Sequence, residues 1–364
     1  MAIAAGAGLL GAGHVPLFRS DRATLVWHMV AKSNSWKVTL DGEVACTSQL
    51  QCIAFGSRRG TSLAVRLDGA GIGSETPTRS KVLPDGQLVC STPFVCLGVR
   101  IVRTLSSGHW DTVLLRTSDG GVAWTAETLP SSLHVTGLAC ATTLRCLVIG
   151  KWGTWSPNGG TAANRTYVTT DGGREWSEAA SFTLPYELSP IVQLSCATNG
   201  ACLVSPFPTS NDDHIEVTKN FGSSWQQISI AGNPQVIGVS CSEGNSCAAL
   251  TVRWNTSSNT GRASLWAIDA SRSEVTSHHL LPGALESIGM DSFTCRTSAI
   301  CFVSGSTASI TNLLYSTSND GSSWLTDSLP SGLGGTSWVE CAANERCVAT
   351  GNASAGSTPV AIRS

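Results

Sequence analysis

Seven Cys-x5-Cys pairs constrain this 364-residue chain more than any other feature. They are Cys46/Cys52, Cys90/Cys96, Cys140/Cys146, Cys196/Cys202, Cys241/Cys247, Cys295/Cys301 and Cys341/Cys347, and they use all 14 cysteines. An even count at one repeated spacing reads as a disulfide set made in an oxidising compartment. Zinc is the competing reading, but zinc sites use closer pairs, often with His partners. No metal or other cofactor is therefore expected. Successive pairs begin 44 to 56 residues apart, and a period near fifty with several strands per unit marks a propeller or an array.

The best-preserved unit runs from Leu133 to Pro185. Val135 to Cys140 reads as strand a and Cys146 to Gly150 as strand b, with the cysteine pair straddling the hairpin between them. A long loop leads to strand c, Arg165 to Thr169, and strand d ends at Phe182 before Leu184-Pro185. The Leu-Pro stop recurs at Leu83, Leu129, Leu281 and Leu329. With 37 Gly, Ser/Thr-rich turns and no long helical periodicity, the chain is expected to be all-β: seven four-stranded antiparallel blades with hairpin disulfides.

Between strands c and d lies a second repeat, Thr169-Thr170-Asp171-Gly172-Gly173-Arg174-Glu175-Trp176. It recurs from Thr117 through Asp119 to Trp124, and with Asn for Asp from Thr218 through Asn220 to Trp225 and from Thr317 through Asn319 to Trp324. The Gly residues suit a turn at φ > 0, Asp or Asn can hydrogen-bond backbone N–H groups further along, and the Trp supplies packing surface. The pattern resembles the Asp-box, or BNR repeat, of sialidases, sortilin-type receptors, xyloglucan hydrolases and the photosystem II assembly factor. The resemblance implies a β-propeller on which the box is a structural hairpin, not a catalytic element, and the seven cysteine hairpins then give seven blades. Eroded versions stand at Asp68-Gly69 and at Asp269.

The last unit stops after a strand from Pro359 to Arg363. The expected remedy is ring closure by the N-terminal region, with an eroded box ending at Trp36 followed by Lys37 to Leu40 as the missing strand d. Leu25 to Met29 also reads as a strand. Residues 23–364 are taken as one propeller and 1–22 as a truncated export signal or a disordered segment. Met1 to Val15 is apolar but lacks a basic leader and is too short to span a bilayer, so no transmembrane helix is expected.

Only 13% of residues are charged and the net charge is -2, which excludes an electrostatic grip on nucleic acid. In an up-and-down blade the a–b and c–d turns share one end, leaving the b–c loops at the other, where binding sites usually sit. These loops, read as 100–111, 151–164, 205–214 and 252–262, hold the candidate binding residues Trp110, Trp152, Trp155, Asp212, Asp213 and Trp254. Exposed Trp beside acidic and amide groups suits a protein or carbohydrate ligand. His278-His279 reads as a solvated turn. The expectation is a secreted or cell-envelope binding or assembly module, monomeric and without catalysis. The alternative is a glycoside hydrolase of the sialidase type, which would need an Arg cluster, a Tyr/Glu pair and an acid. Only three Tyr are present, and Tyr167 and Tyr315 lie in c strands.

Overall fold

The computed structural model describes residues 26–364 apart from 32–36, 48, 69–70, 81, 104–109, 130–132, 153–162, 183–192, 206–213, 233, 243, 256–259, 284–286, 307–312, 334–335, 342–345 and 352–357. Within the described residues, 28 strands form seven four-stranded antiparallel sheets. We number these blades one to seven from Thr39–Cys46, the inner strand of blade one, and call their strands a to d from the inside outward. Each a strand touches the a strands of its neighbours, and blade seven touches blade one, so the blades form a closed ring. Closure leaves no open blade face.

The core is divided among the seams between blades. Seven apolar clusters are each shared by two consecutive blades. Leu97, Val99 and Leu114 of blade two meet Val135, Leu138 and Val148 of blade three. Trp338, Val348 and Ile362 of blade seven meet Val38, Val44 and Val65 of blade one. This follows from the strand period of two: alternate side chains point to opposite faces, and both faces of a blade are covered.

All seven expected disulfides are present: Cys46–Cys52, Cys90–Cys96, Cys140–Cys146, Cys196–Cys202, Cys241–Cys247, Cys295–Cys301 and Cys341–Cys347, with Cα atoms 3.9–4.1 Å apart. In every blade the two cysteines stand directly opposite across the a–b hairpin. Their role differs from the expectation in one respect. Sequence makes them staples at the hairpin tip, but the strand-b partners are core residues as well. Cys52, Cys96, Cys146, Cys202, Cys247, Cys301 and Cys347 are all buried. Each belongs to the apolar cluster that its blade shares with the preceding one. The cause is strand alternation: Cys52 faces the same way as Ala54, Cys247 as Ala249, Cys301 as Val303 and Cys347 as Ala349, all seam residues. Sulfur in such a place packs as a small apolar group.

The four complete c–d turns share one geometry. The Thr169 hydroxyl donates to Asp171 Oδ1 at 2.7 Å and accepts from Gly173 N–H at 3.0 Å. Asp171 Oδ1 also accepts from Arg174 N–H and Glu175 N–H at 2.9 and 3.1 Å. Where Asn replaces Asp, the amide adds a bond of its own, from Asn220 Nδ2 to Ser224 Oγ and from Asn319 Nδ2 to Ser323 Oγ, both 2.9 Å. Each turn then docks twice. Within its blade it bonds the disulfide hairpin, as Gly120 N–H does to Phe94 O and Gly172 N–H to Leu144 O, both 2.9 Å. Across the seam the glycine two residues after the Asp or Asn lies on the preceding blade: Gly121 on Phe55, Gly173 on Leu97, Gly222 on Leu147 and Gly321 on Leu265. Arg116 of blade two reaches over to donate to Gly172 O at 2.8 Å, and Trp124 stacks edge-on against Phe55 of blade one.

Ring closure differs from the expectation. The fourth strand of blade seven is Trp27–Ala31, paired with Val360–Arg363. Lys37 to Leu40 does not close the ring: Thr39 and Leu40 open the inner strand of blade one, Thr39–Cys46. The reason is a bulge between Leu40 and Val44. Its Asp-Gly-Glu sequence reads as a turn, yet it interrupts a single strand. Residues 33–36, the supposed eroded box, lie outside the described residues.

Candidate functional site

The disulfides and the c–d turns occupy one end of the ring, and the b–c connections emerge at the other. The b–c hairpins are longer than their sequence suggests. Strand b of blade two extends to Arg103 and strand c starts at Trp110; in blade three the corresponding limits are Trp152 and Ala163, and in blade five Asn255 and Thr260. Trp110, Trp152 and Trp254 therefore stand on strand ends, not in loops. Trp110 faces Arg103, Trp152 lies between Leu133 and Ala163, and Trp254 faces Gly261. They share one end of the ring but belong to blades two, three and five. Trp155, Asp212 and Asp213 lie outside the described residues.

Trp254 is the best-defined of these. It is 40% exposed, although Nε1 donates to Gln235 Oε1 at 2.9 Å. The ring lies over Gly261, where a Cβ would approach it to 3.2 Å. The neighbouring Arg253 donates to Gly232 O at 2.7 Å. A hydrogen-bonded, glycine-backed indole with one open side is a preorganised contact surface, because little side-chain entropy remains to be lost on binding.

Two readings of chemistry-bearing residues change. His278 and His279 form no turn; they lie in the strand Glu274–Leu280, and His278 stacks on Trp266 with ring centroids 4.0 Å apart. Burial there holds the His278 imidazole below its usual range. Tyr167 and Tyr315 are buried between blades, and burial pushes both phenols up. Among the described residues no group of three or more His, Cys, Asp or Glu is placed to hold a metal.

The sequence reading missed a buried polar group beneath the b–c end. Lys151, His214 and Glu216 are buried, and all lie at the seam of blades three and four. Leu147 and Ile149 pack on Cys202 and Val204 of blade four, so Lys151, next in alternation, faces the same way. Ile215 and Val217 face blade five, so His214 and Glu216 face back toward blade three. Asn164 and Thr166 complete the layer from strand c of blade three. Burial raises the Glu216 carboxyl, and the nearby His214 partly offsets it. A signal existed: counted back two residues from the position opposite the second cysteine, the other blades carry Val65, Leu115, Tyr167, Trp266, Tyr315 and Ala361. Glu216 alone breaks that apolar column.

No protein-family model matches the chain, and none of the curated proteins is detectably similar in sequence. The fold has clear counterparts among solved structures. The structure of YCF48 bound to D1 peptide is similar over 94% of this chain and 95% of that one, at 12% identity and a TM-score of 0.51. A GH74 xyloglucanase from Xanthomonas campestris gives 12% identity and a TM-score of 0.55 over 90% of this chain, which spans about half, 54%, of the enzyme chain. The Dos1 propeller gives 11% identity and a TM-score of 0.51, over 88% of this chain and 83% of that one. At such identities the likeness is one of fold. The chain is a seven-bladed β-propeller. Seven local disulfides point to an oxidising, extracytoplasmic environment. No helix among the described residues is long and apolar enough to cross a membrane.

Proposed function

We propose that this chain is a secreted or cell-envelope propeller of the Asp-box superfamily, without catalytic activity, that binds a protein or glycan through the b–c end of its ring. The observation that carries this reading is the division between the two ends. One end is filled by disulfides and docked turns; the other carries strand-end Trp positions, of which Trp254 is 40% exposed and fixed in place. The four Thr-Asp/Asn-Gly-Trp turns, bonded alike and seated on the preceding blade, support the superfamily assignment. That YCF48, a propeller of like extent, is known with a D1 peptide bound supports a protein or peptide ligand. The burial of Tyr167 and Tyr315 weighs against a sialidase-type nucleophile on either residue. We take residues 23–364 as one monomeric unit with Trp110, Trp152, Trp155, Asp212, Asp213 and Trp254 as binding residues.

The test begins with binding of the whole chain to peptide and glycan arrays, followed by titration of a hit against the Trp152→Ala/Trp254→Ala variant. Loss of a central aromatic anchor costs about 2 kcal/mol, so binding is expected to weaken about thirtyfold with unchanged melting. A variant that unfolds before it loses the ligand makes these Trp scaffold. Turnover of a sialoside, abolished by one acidic substitution, replaces the reading with the hydrolase.

A further inference from the structure

Buried ionisable groups are expensive. Between blades six and seven the desolvated Arg296 guanidinium is paired with Glu340, whereas the seam of blades three and four buries Lys151, His214 and Glu216. The apolar cluster of blades three and four consists of Ala141, Leu147, Ile149, Cys202, Val204 and Phe221, with Trp225 and Val168 at its edge. It lies toward the disulfide end. Above it, toward the b–c end, the seam holds Lys151 (6% exposed), Asn164 (3%), His214 (8%) and Glu216 (6%). Among the described residues Asn164 Oδ1 has no hydrogen-bond partner there. Burial raises the Glu216 carboxyl, and His214, two residues along its own strand, partly offsets it. In a low-dielectric layer a carboxylate is less stable than the neutral acid.

We infer that the seam between blades three and four is a proton-sensitive joint, closed while Glu216 is protonated and loosened as Glu216 releases its proton to solvent. The groups that face Glu216 set the size of the response. Lys151 from strand b of blade three lies in the same seam, and His214, on the same strand as Glu216, limits the cost of the carboxylate. Asn164 and Thr166 from strand c of blade three offer polar neighbours, and Thr166 Oγ1 already accepts from Trp225 Nε1 at 3.2 Å. Arg145 lies at the disulfide end, its guanidinium 4.6 Å from the Phe221 ring.

The sign follows from linkage. The closed seam holds the Glu216 carboxyl above its ordinary value of 4.5, whereas an opened seam returns it to water. Closure is therefore fully favoured below the ordinary value and is lost as pH rises through the raised one. Across that interval the open population grows by up to tenfold per pH unit for one proton. The b–c ends of blades three and four, Trp152 included, rise directly from this layer, so loosening shifts their relative placement. The joint stands on the seam alone, independent of what the b–c face binds.

Hydrogen–deuterium exchange of the ligand-free, disulfide-intact chain from pH 5 to 8, corrected for intrinsic rates, tests the joint. Amides of 163–169 and 214–218 are compared with 313–317 of blade six, whose seam carries Tyr315 where blade four carries Glu216. Protection at 214–218 is expected to fall at least fivefold relative to 313–317 between pH 5 and 8. Glu216→Gln should flatten that trend to within twofold and retain protection at pH 8; Glu216→Leu serves the same purpose if Gln impairs folding. A wild-type profile parallel to that of 313–317 overturns the inference. So does a slope that persists once Glu216 is replaced.

Discussion

Replacing Gly172 and Gly173 separately with Ala would measure how much the c–d turn contributes by bridging blades. Both residues have positive φ, +76° and +93°, so either Ala incurs about 1–2 kcal/mol of backbone strain. They differ in what the new methyl meets. A Cβ on Gly172 would find Thr143 O at 3.3 Å and little else, whereas one on Gly173 would stand 2.7 Å from Leu97 Cδ2 in the preceding blade. Leu97 is fully buried in the cluster shared by blades two and three, so it has little room to yield. Overpacking of that kind costs about 1–3 kcal/mol. Gly172→Ala should therefore lose roughly 1–2 kcal/mol and Gly173→Ala roughly 2–5 kcal/mol. A unit of this size melts with an entropy of about 2.1 cal/mol/K per residue, which makes each kcal/mol worth roughly 1–2 °C. Differential scanning calorimetry under non-reducing conditions should separate the two by about 1–6 °C. Equal losses would refute the reasoning, because they would mean that the seam contact contributes nothing beyond the backbone conformation.

Non-reducing peptide mapping should return only the seven local Cys-x5-Cys links, and the Cys140→Ser/Cys146→Ser variant should lose about 2 kcal/mol by loop-closure entropy; a link between different repeats would contradict the hairpin assignment. Asp171→Ala should cost about 1–2 kcal/mol at neutral pH, since its hydrogen bonds are largely solvent-exposed, and chemical denaturation of wild type and variant should converge in acid. The Thr169 hydroxyl, followed by the Glu175 and Arg174 N–H groups, holds the Asp171 carboxyl below its ordinary value of 3.8. Its contribution is thus complete above that value and fades as pH falls through the depressed one. A pH-independent difference would show that the ionised carboxylate is not what closes the turn.

Blade architecture was legible because two rigid punctuation marks repeat in one register. The cysteine pair fixes the a–b hairpin, and the Thr-Asp/Asn-Gly-Trp turn fixes the c–d hairpin, so strands could be placed between them without alignment to another protein. What stayed hidden has physical causes. The bulge at 41–43 reads as a turn because Asp-Gly serves both purposes. The extent of the b–c hairpins was underestimated because Arg103, Trp110, Arg253 and Trp254 are poor markers of burial, yet a two-stranded ribbon above the ring needs no buried face. The polar seam was invisible within its own strand, since His-Ile-Glu-Val-Thr reads as a half-buried alternation with its polar side in water. Only the packing of blade three against that side makes His214 and Glu216 interior residues.

The closing strand offers the sharpest test of how the ring is sealed. Trp27–Ala31 supplies the outer strand of blade seven, pairing Trp27 with Arg363, His28 with Ile362 and Met29 with Ala361. Trp27 and Met29 pack on the cluster that joins blades six and seven, which includes Phe302, Leu333 and Val339. Blade seven has no c–d turn to dock on its predecessor. At the position of Thr169 in blade three it carries Arg363, whose guanidinium instead bonds Asp327 of blade six at 2.9 Å. Removing residues 1–36 deletes the strand and two large apolar contacts. At about 1.5–3 kcal/mol for each large side chain withdrawn from water, together with the lost ladder, the deletion should cost roughly 4–7 kcal/mol. It also bares a strand edge, so concentration-dependent association should appear in light scattering. Removing only residues 1–25 keeps the pairing of Val26 with Ser364 and should leave melting within about 1 °C of the full chain. If the longer deletion melts like the shorter one, Trp27–Ala31 decorates the rim, and the seam of blades seven and one holds the ring closed without it.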